Sequence, residues 1–139
     1  GVTAVSALGG VPPGELVDDP GVLAAVTEDA LREPLESVGV QFREGEPAGG
    51  IVGVSGLLLG LAARRGVPAT CLMGETSGYL VDPKSARAIL EVLAARLNFS
   101  VEYSSLEERA AEMAEVVEKI EQMQTQHSAP TEDDLRYIG

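Results

Sequence analysis

The sequence has few aromatic residues, a single cysteine and no tryptophan. Aromatic residues make up 4% of the 139 residues, although hydrophobic residues make up 45%. The core must therefore be aliphatic, which favours α/β or helical packing over a small β-sandwich. A chain of this length has room for one domain. Because Cys71 cannot form an internal disulfide, we expect a reducing compartment and predict a cytoplasmic protein.

Positive charge is also scarce. Lys and Arg number 10 against 22 Asp and Glu, which gives a net charge of -12. This charge repels phosphate backbones and anionic lipids, so nucleic acid and membrane surfaces are poor partners. Solubility, or adaptation to salt or heat, is the alternative interpretation of the acidity. The longest uncharged apolar run, residues 51–63, is shorter than the about 20 residues that span a bilayer.

The usual constellations of catalytic and metal-binding residues are missing. Ser55 has flanking glycines, but the second glycine lies one position too early for a nucleophile elbow. The only histidine is His127, and one Cys with one His cannot form a zinc site. Residues 49–53 lack the glycine order of a dinucleotide site and the Lys of a P-loop, which favours a tight turn over an anion site. We predict a protein without catalytic residues, metal or cofactor.

Hydrophobic periodicity and turn residues predict alternating strands and helices. Asp82 is a candidate N-cap, with Pro83 at the first helical position. This order predicts an α/β fold with a parallel or mixed sheet covered by helices. The predicted elements are strands over 2–8, 22–26 and 67–73, a short edge strand over 99–103, and helices over 28–38, 51–65 and from 83 onwards. The helix over 51–65 is predicted to be buried.

Two features of the strand over 67–73 bear on function. Cys71 lies within its apolar run and is predicted to be an inert core residue. Glu75 and Thr76 follow at the carboxyl edge of the sheet, where α/β proteins place ligands. A solvated turn is the preferred interpretation of these two residues.

The last helix has a different character. Ser104 and Ser105 supply a predicted cap, and the helix extends to His127 without Gly or Pro. Its apolar residues alternate spacings of four and three, which indicates a narrow a/d seam. Packing against the domain body, self-association and a partner helix all remain open for this seam. The seam residues are Leu106, Ala110, Met113, Val117 and Ile120.

The chain end combines an acidic segment with an apolar cluster. We divide the chain into an α/β body over 1–103, the amphipathic helix over 104–127, and an acidic linker with a docking tail over 128–139. An aromatic anchor beside a free carboxylate is a common peptide-docking arrangement. The predicted partner-binding residues are Leu135, Tyr137, Ile138 and Gly139.

Three stretches carry a resemblance to a known family: GVSGLLL at 53–59, CLMGET at 71–76 and DPKSA at 82–86. In these stretches the sequence resembles the archaeal proteasome assembly chaperones, which have also been described as ATP-grasp-like. The resemblance implies a phosphorylase-like α/β fold, a homo-oligomer, and binding to proteasome α subunits or ring intermediates. It covers the C-terminal part of a family member, so we expect the body to lack an N-terminal part of the family's domain.

Family members dock through a C-terminus that has tyrosine in the second-last position, where the carboxylate pairs with a pocket lysine. The resemblance implies this role for Tyr137, which here lies third from the end. Our leading hypothesis is a non-enzymatic chaperone that uses this tail. The alternatives are an ATP-dependent ligase of the ATP-grasp type and a structural oligomerisation subunit.

Overall fold

The computed structural model describes residues 1–12, 17–43, 50–78 and 80–127. Three strands form one sheet in the order β1-β3-β2, with β1 at Val5–Val11, β2 at Val22–Val26 and β3 at Ala69–Glu75. The central strand β3 is parallel to β1 and antiparallel to β2. The predicted α/β fold with a mixed sheet is therefore confirmed.

Four α-helices accompany the sheet in the described part of the chain. A 3-10 turn at Asp29–Leu31 leads into the short helix α1. Helix α2 packs against β1 and β3, while α3 packs against β3 and β2, and α4 packs against α3. The helices are α1 at Arg32–Glu36, α2 at Val54–Arg64, α3 at Pro83–Leu97 and α4 at Ser104–His127.

The main core lies between the sheet and α3. Leu72 of β3 is 1% exposed and belongs to one cluster with Ile89 and Val92 of α3. Gly74 lets the helix approach the strand closely, because a Cβ at this position would collide with Ser85 Oγ. Over β3 and β2, this face of the sheet is closed by aliphatic side chains, as the composition predicts.

The start of α3 follows the predicted capping pattern. The Asp82 carboxylate accepts a hydrogen bond of 3.0 Å from the Ser85 backbone N–H. Pro83 occupies the first turn, where a helix has no use for a backbone donor. The predicted N-cap is confirmed.

Several predicted boundaries are wrong. The strand predicted over 2–8 begins at Val5 and continues through Gly9 and Gly10 to Val11, because these glycines pair with Met73 and Gly74 of β3. The helix predicted over 28–38 is reduced to the 3-10 turn and α1. Residues 99–103 form no strand. Pairing with the distant strand β3 decided the bounds of β1, and local propensity cannot register it.

Helix α2 departs most from its prediction as a buried helix. Only Ala62 is buried, and the helix is shorter than the predicted span of 51–65. Four of its other apolar side chains lie at helical spacing and form an exposed stripe, which we call the outer stripe. The outer stripe consists of Val54, Leu57, Leu58 and Leu61, which are 70%, 61%, 40% and 38% exposed.

The turn before α2 uses glycine for geometry. Gly50 and Gly53 have φ angles of 66° and 79°, in the region that favours glycine. Gly56 lies so close to the Ile51 carbonyl that a Cβ would overlap it. This geometry agrees with the interpretation of residues 49–53 as a tight turn with close helix packing; residue 49 itself is outside the described residues.

Candidate partner-binding surface on the last helix

Helix α4 is positioned by a reversal of the chain after α3. Asn98 ends α3 in a left-handed conformation with φ 53° and ψ 52°. The Tyr103 carbonyl then accepts hydrogen bonds from the N–H groups of Leu106 and Glu107, at 2.9 and 3.0 Å. The cap position therefore falls on Tyr103, and the prediction of a cap at Ser104 and Ser105 is wrong by one residue.

Arg87 of α3 fastens the first turn of α4. Its guanidinium donates to Glu91 Oε1 at 2.8 Å and to Glu107 Oε1 at 2.6 Å. The same group lies 5.1 Å from the centroid of the Tyr103 ring, which is within cation–π range. The hydrogen bond to Glu91, together with the nearby Glu107 carboxylate, raises the pKa of Arg87 above its ordinary value. The Arg87 guanidinium thus links α3, the start of α4 and Tyr103 in the segment between them.

The predicted seam changes its exposure along α4. Leu106, Ala110, Met113 and Val117 are half-buried. Ile120, one step further along the seam, is 38% exposed. The first part of α4 thus lies close to the domain body, and the apolar surface becomes more open towards the end of the helix.

A groove of about 260 Å³ separates α4 from the start of α3. Ala110, Met113 and Val117 of the seam line one wall, while Val81 and Pro83 lie on the other. Sequence reasoning identified the seam by its spacing. It missed the groove, because the second wall comes from the loop before α3 and the first residue of that helix, which carry no periodic signal.

Charged groups stand at the rim of this groove. Lys84 Nζ lies 3.3 Å from Asp18 Oδ1, and Glu118 of α4 also borders the groove. The Lys84–Asp18 pair is exposed, so it contributes little to stability. An apolar floor with charged rim groups is the usual composition of a protein-binding surface.

The tail residues predicted to bind a partner fall outside the described residues. Leu135, Tyr137, Ile138 and Gly139 all lie in the segment 128–139. Their role stays a prediction.

Cys71 is a core residue, as predicted. Its side chain is 1% exposed on β3. Burial raises the pKa of the Cys71 thiol, which keeps it protonated and poorly nucleophilic. This residue carries no candidate chemistry.

Glu75 was predicted to lie in a solvated turn, and this prediction is wrong. It is the last residue of β3, and its side chain is only 16% exposed. Glu75 Oε2 accepts a hydrogen bond of 3.1 Å from Gly21 N–H, and Oε1 accepts one of 2.7 Å from Arg43. The carboxylate fastens the start of β2 and the segment after α1 to the end of the central strand.

In the part of the chain that the structure describes, no group of three or more His, Cys, Asp or Glu side chains is arranged to hold a metal ion. Within the same ranges, no helix is both long enough and apolar enough to cross a membrane.

The fold and the surface on α4 together define an α/β protein with a mixed sheet and a groove between its last two helices. Residues 1–121 match the model of the PAC2 family, and the chain belongs to this family. The resemblance to archaeal proteasome assembly chaperones in the sequence is thereby confirmed.

Three relatives illustrate the similarity. PbaB of Pyrococcus furiosus, described as an archaeal proteasome activator, has a TM-score of 0.75 and 38% identity over 86% of this chain and 51% of its own. PbaA of the same organism, described as an archaeal homolog of proteasome-assembly chaperone, has a TM-score of 0.72 and 30% identity over 89% and 51%. An uncharacterized protein of Methanocaldococcus jannaschii is 40% identical over all of this chain and 55% of its own length. The chain spans about half the length of these relatives.

Proposed function

We propose that this protein is a proteasome assembly chaperone that binds proteasome α subunits or ring intermediates, partly through its C-terminal tail. The observation that carries the proposal is membership of the PAC2 family together with similarity to PbaA. The protein acts in the cytoplasm by binding other proteins, without catalysis.

The composition of the candidate surface supports a binding role. The groove offers apolar side chains from Met113 and Val117, and the exposed residue Ile120 continues the apolar surface along α4. The tail adds Tyr137 as an aromatic anchor and a free carboxylate, which suit capture by a pocket that contains a lysine. In a homo-oligomer, several tails would act together, and a weak single contact would gain effective concentration.

Native mass spectrometry of the chain mixed with proteasome α subunits tests this proposal. We expect a complex with the full chain and no complex after deletion of Leu135–Gly139, with folding unchanged. A matched control replaces Glu112, on the solvent-exposed side of α4, with Lys. Equal binding by the deleted and the full chain would refute the tail mechanism, and no binding by either would refute the chaperone function.

The seam is proposed to mediate self-association. Met113→Lys and Ile120→Lys together place two charges on the apolar surface of α4, at a cost that apolar contacts cannot offset. We expect the oligomer mass to fall to that of a monomer in native mass spectrometry. An unchanged mass would exclude the seam as the oligomer interface.

A second candidate function is activation of the assembled proteasome. The similarity to PbaB, described as an archaeal proteasome activator, favours it. The two functions differ in the species that is bound, because a chaperone prefers free α subunits or ring intermediates. Binding to the assembled particle alone, with increased peptide hydrolysis, would identify an activator. Stabilisation of this chain by ATP in a thermal melt would instead favour the ligase alternative.

A further inference from the structure

A cavity of about 620 Å³ lies on the α2 side of the sheet, above β2. Helix α2 packs mainly against β1 and β3, so it leaves much of the same face of β2 open. Leu23 and Ala25 alternate along β2 with Ala24, which belongs to the core on the α3 side. Their side chains therefore project towards α2 and form the floor of the cavity together with Met73.

The interior of this cavity is apolar. Leu59 of α2 lines one wall, and Phe42, in the segment after α1, lines another. The volume lies within the range of roughly 300–1,000 Å³ that is typical of sites for small molecules. Such an interior favours a ligand with an apolar body, because a polar body would lose its hydration without gaining partners.

Arg32 presents an unused guanidinium at this cavity. The group lies 4.5 Å from the centroid of the Phe42 ring, and both residues line the cavity. Its Nε is 3.9 Å from Glu36 Oε1, which is too long for a hydrogen bond. Within the ranges that the structure describes, its N–H groups donate to no other residue. The ring therefore orients a planar set of donors that is free to bind a carboxylate.

The surrounding charges limit the ligand to a single negative charge. Arg43 also lines the cavity, but it already donates to Glu75 Oε1 at 2.7 Å. Asp29 borders the same space, and Glu36 lies near Arg32. Acidic groups thus nearly balance the two cations, which disfavours phosphates and other multiply charged anions. One carboxylate matches the one guanidinium that has free donors.

We propose that this cavity binds a small monocarboxylate with an apolar body. The ligand carboxylate accepts hydrogen bonds from the Arg32 guanidinium, and the apolar body lies between Leu59 and the floor formed by Leu23, Ala25 and Met73. The inference is independent of the proposed function, because none of these residues belongs to α4 or to the groove beside it.

Isothermal titration calorimetry on the full 139-residue chain tests the proposal with three probes. Octanoate carries both the charge and the apolar body. Octanamide has the same length without the charge, and propanoate has the charge without most of the body. We expect octanoate to bind at least about tenfold more tightly than octanamide, since it forms charge-assisted hydrogen bonds. It should bind at least about a hundredfold more tightly than propanoate, which buries fewer methylene groups.

The variant Arg32→Gln separates the role of the guanidinium from that of the apolar interior. It should weaken octanoate binding at least about tenfold and leave octanamide binding unchanged. The matched control is Arg64→Gln in the last turn of α2, which changes the net charge equally at an exposed position outside the cavity. This control should bind both probes as the unmodified chain does. Circular dichroism should show the same fold for both variants, because both side chains are exposed.

Nuclear Overhauser effects from the octanoate methyl group locate the bound ligand. We expect contacts with the methyl groups of Leu23, Leu59 and Met73. The competing apolar site is the groove beside α4, where Lys84 already donates to Asp18.

Four results would overturn the proposal. The first is no binding of octanoate, and the second is equal binding of octanoate and octanamide. The third is equal octanoate affinity in the Arg32→Gln and Arg64→Gln variants. The fourth is a bound octanoate that contacts Met113 and Val117, because the ligand would then occupy the groove beside α4.

Discussion

Helices α3 and α2 lie on opposite faces of the same sheet, yet they bury their apolar residues very differently. Helix α3 directs Ile89 and Val92 into the core beside Leu72. Helix α2 buries Ala62 and leaves its outer stripe exposed. Helix α3 is amphipathic and buries the middle of its apolar face, whereas α2 carries more apolar residues than the described part of the chain covers. Exposed apolar side chains at helical spacing make the outer stripe a candidate contact surface.

The largest expected effect separates the core from the outer stripe. Leu72→Ala should lower the free energy of unfolding by about 2–5 kcal/mol, because it removes a fully buried side chain and leaves a cavity. Leu57→Ala, in the outer stripe, should change it by no more than about 0.5 kcal/mol. Urea unfolding followed by circular dichroism measures both. Similar losses of unfolding free energy in the two variants would mean that α2 is as deeply packed as α3, and would contradict the difference between the two helices.

Glycine substitutions compare the α3 interface with the exposed side of α2, and their expected effects on the free energy of unfolding are of intermediate size. Gly74→Ala should cost about 1–3 kcal/mol, because the new Cβ overlaps Ser85 Oγ in the interface with α3. Ser85→Ala in the same chain should recover part of that loss. Gly60→Ala in α2 meets no atom within 4 Å and should stabilise the helix by about 0.5–1 kcal/mol. A destabilised Gly60→Ala protein would show that the outer side of α2 is covered.

A further comparison concerns the starts of the two helices. Asp82→Ala should cost about 0.5–2 kcal/mol, since the Ser85 N–H loses its acceptor at the start of α3. Helix α2 begins after Gly53 without a side-chain cap, so it has no equivalent contribution to lose. Asp18→Ala provides the control, as it removes only the exposed pair with Lys84 and should leave thermal unfolding unchanged. Equal behaviour of the two Asp variants would argue against a capping role.

The candidate surface on α4 was predictable in part. The four-and-three spacing of Ala110, Met113 and Val117 identifies the seam, because helical periodicity is a local property. The facing wall with Val81 and Pro83 was missed, since its residues come together only through the packing of α4 on α3. The role of Glu75 as a fastener was missed for the same reason, as its partners Gly21 and Arg43 lie far away in sequence.

The sequence by itself determined the α/β class, the span of β2, the capped start of α3 and the burial of Cys71. These features depend on hydrophobic patterns, helix capping and apolar runs, which act over a few neighbouring residues. Only the tertiary structure decided that β3 is central between one parallel and one antiparallel neighbour. It also decided that α2 exposes its outer stripe, because a helix with apolar residues on two sides is oriented by the elements that pack against it, and those are distant in sequence.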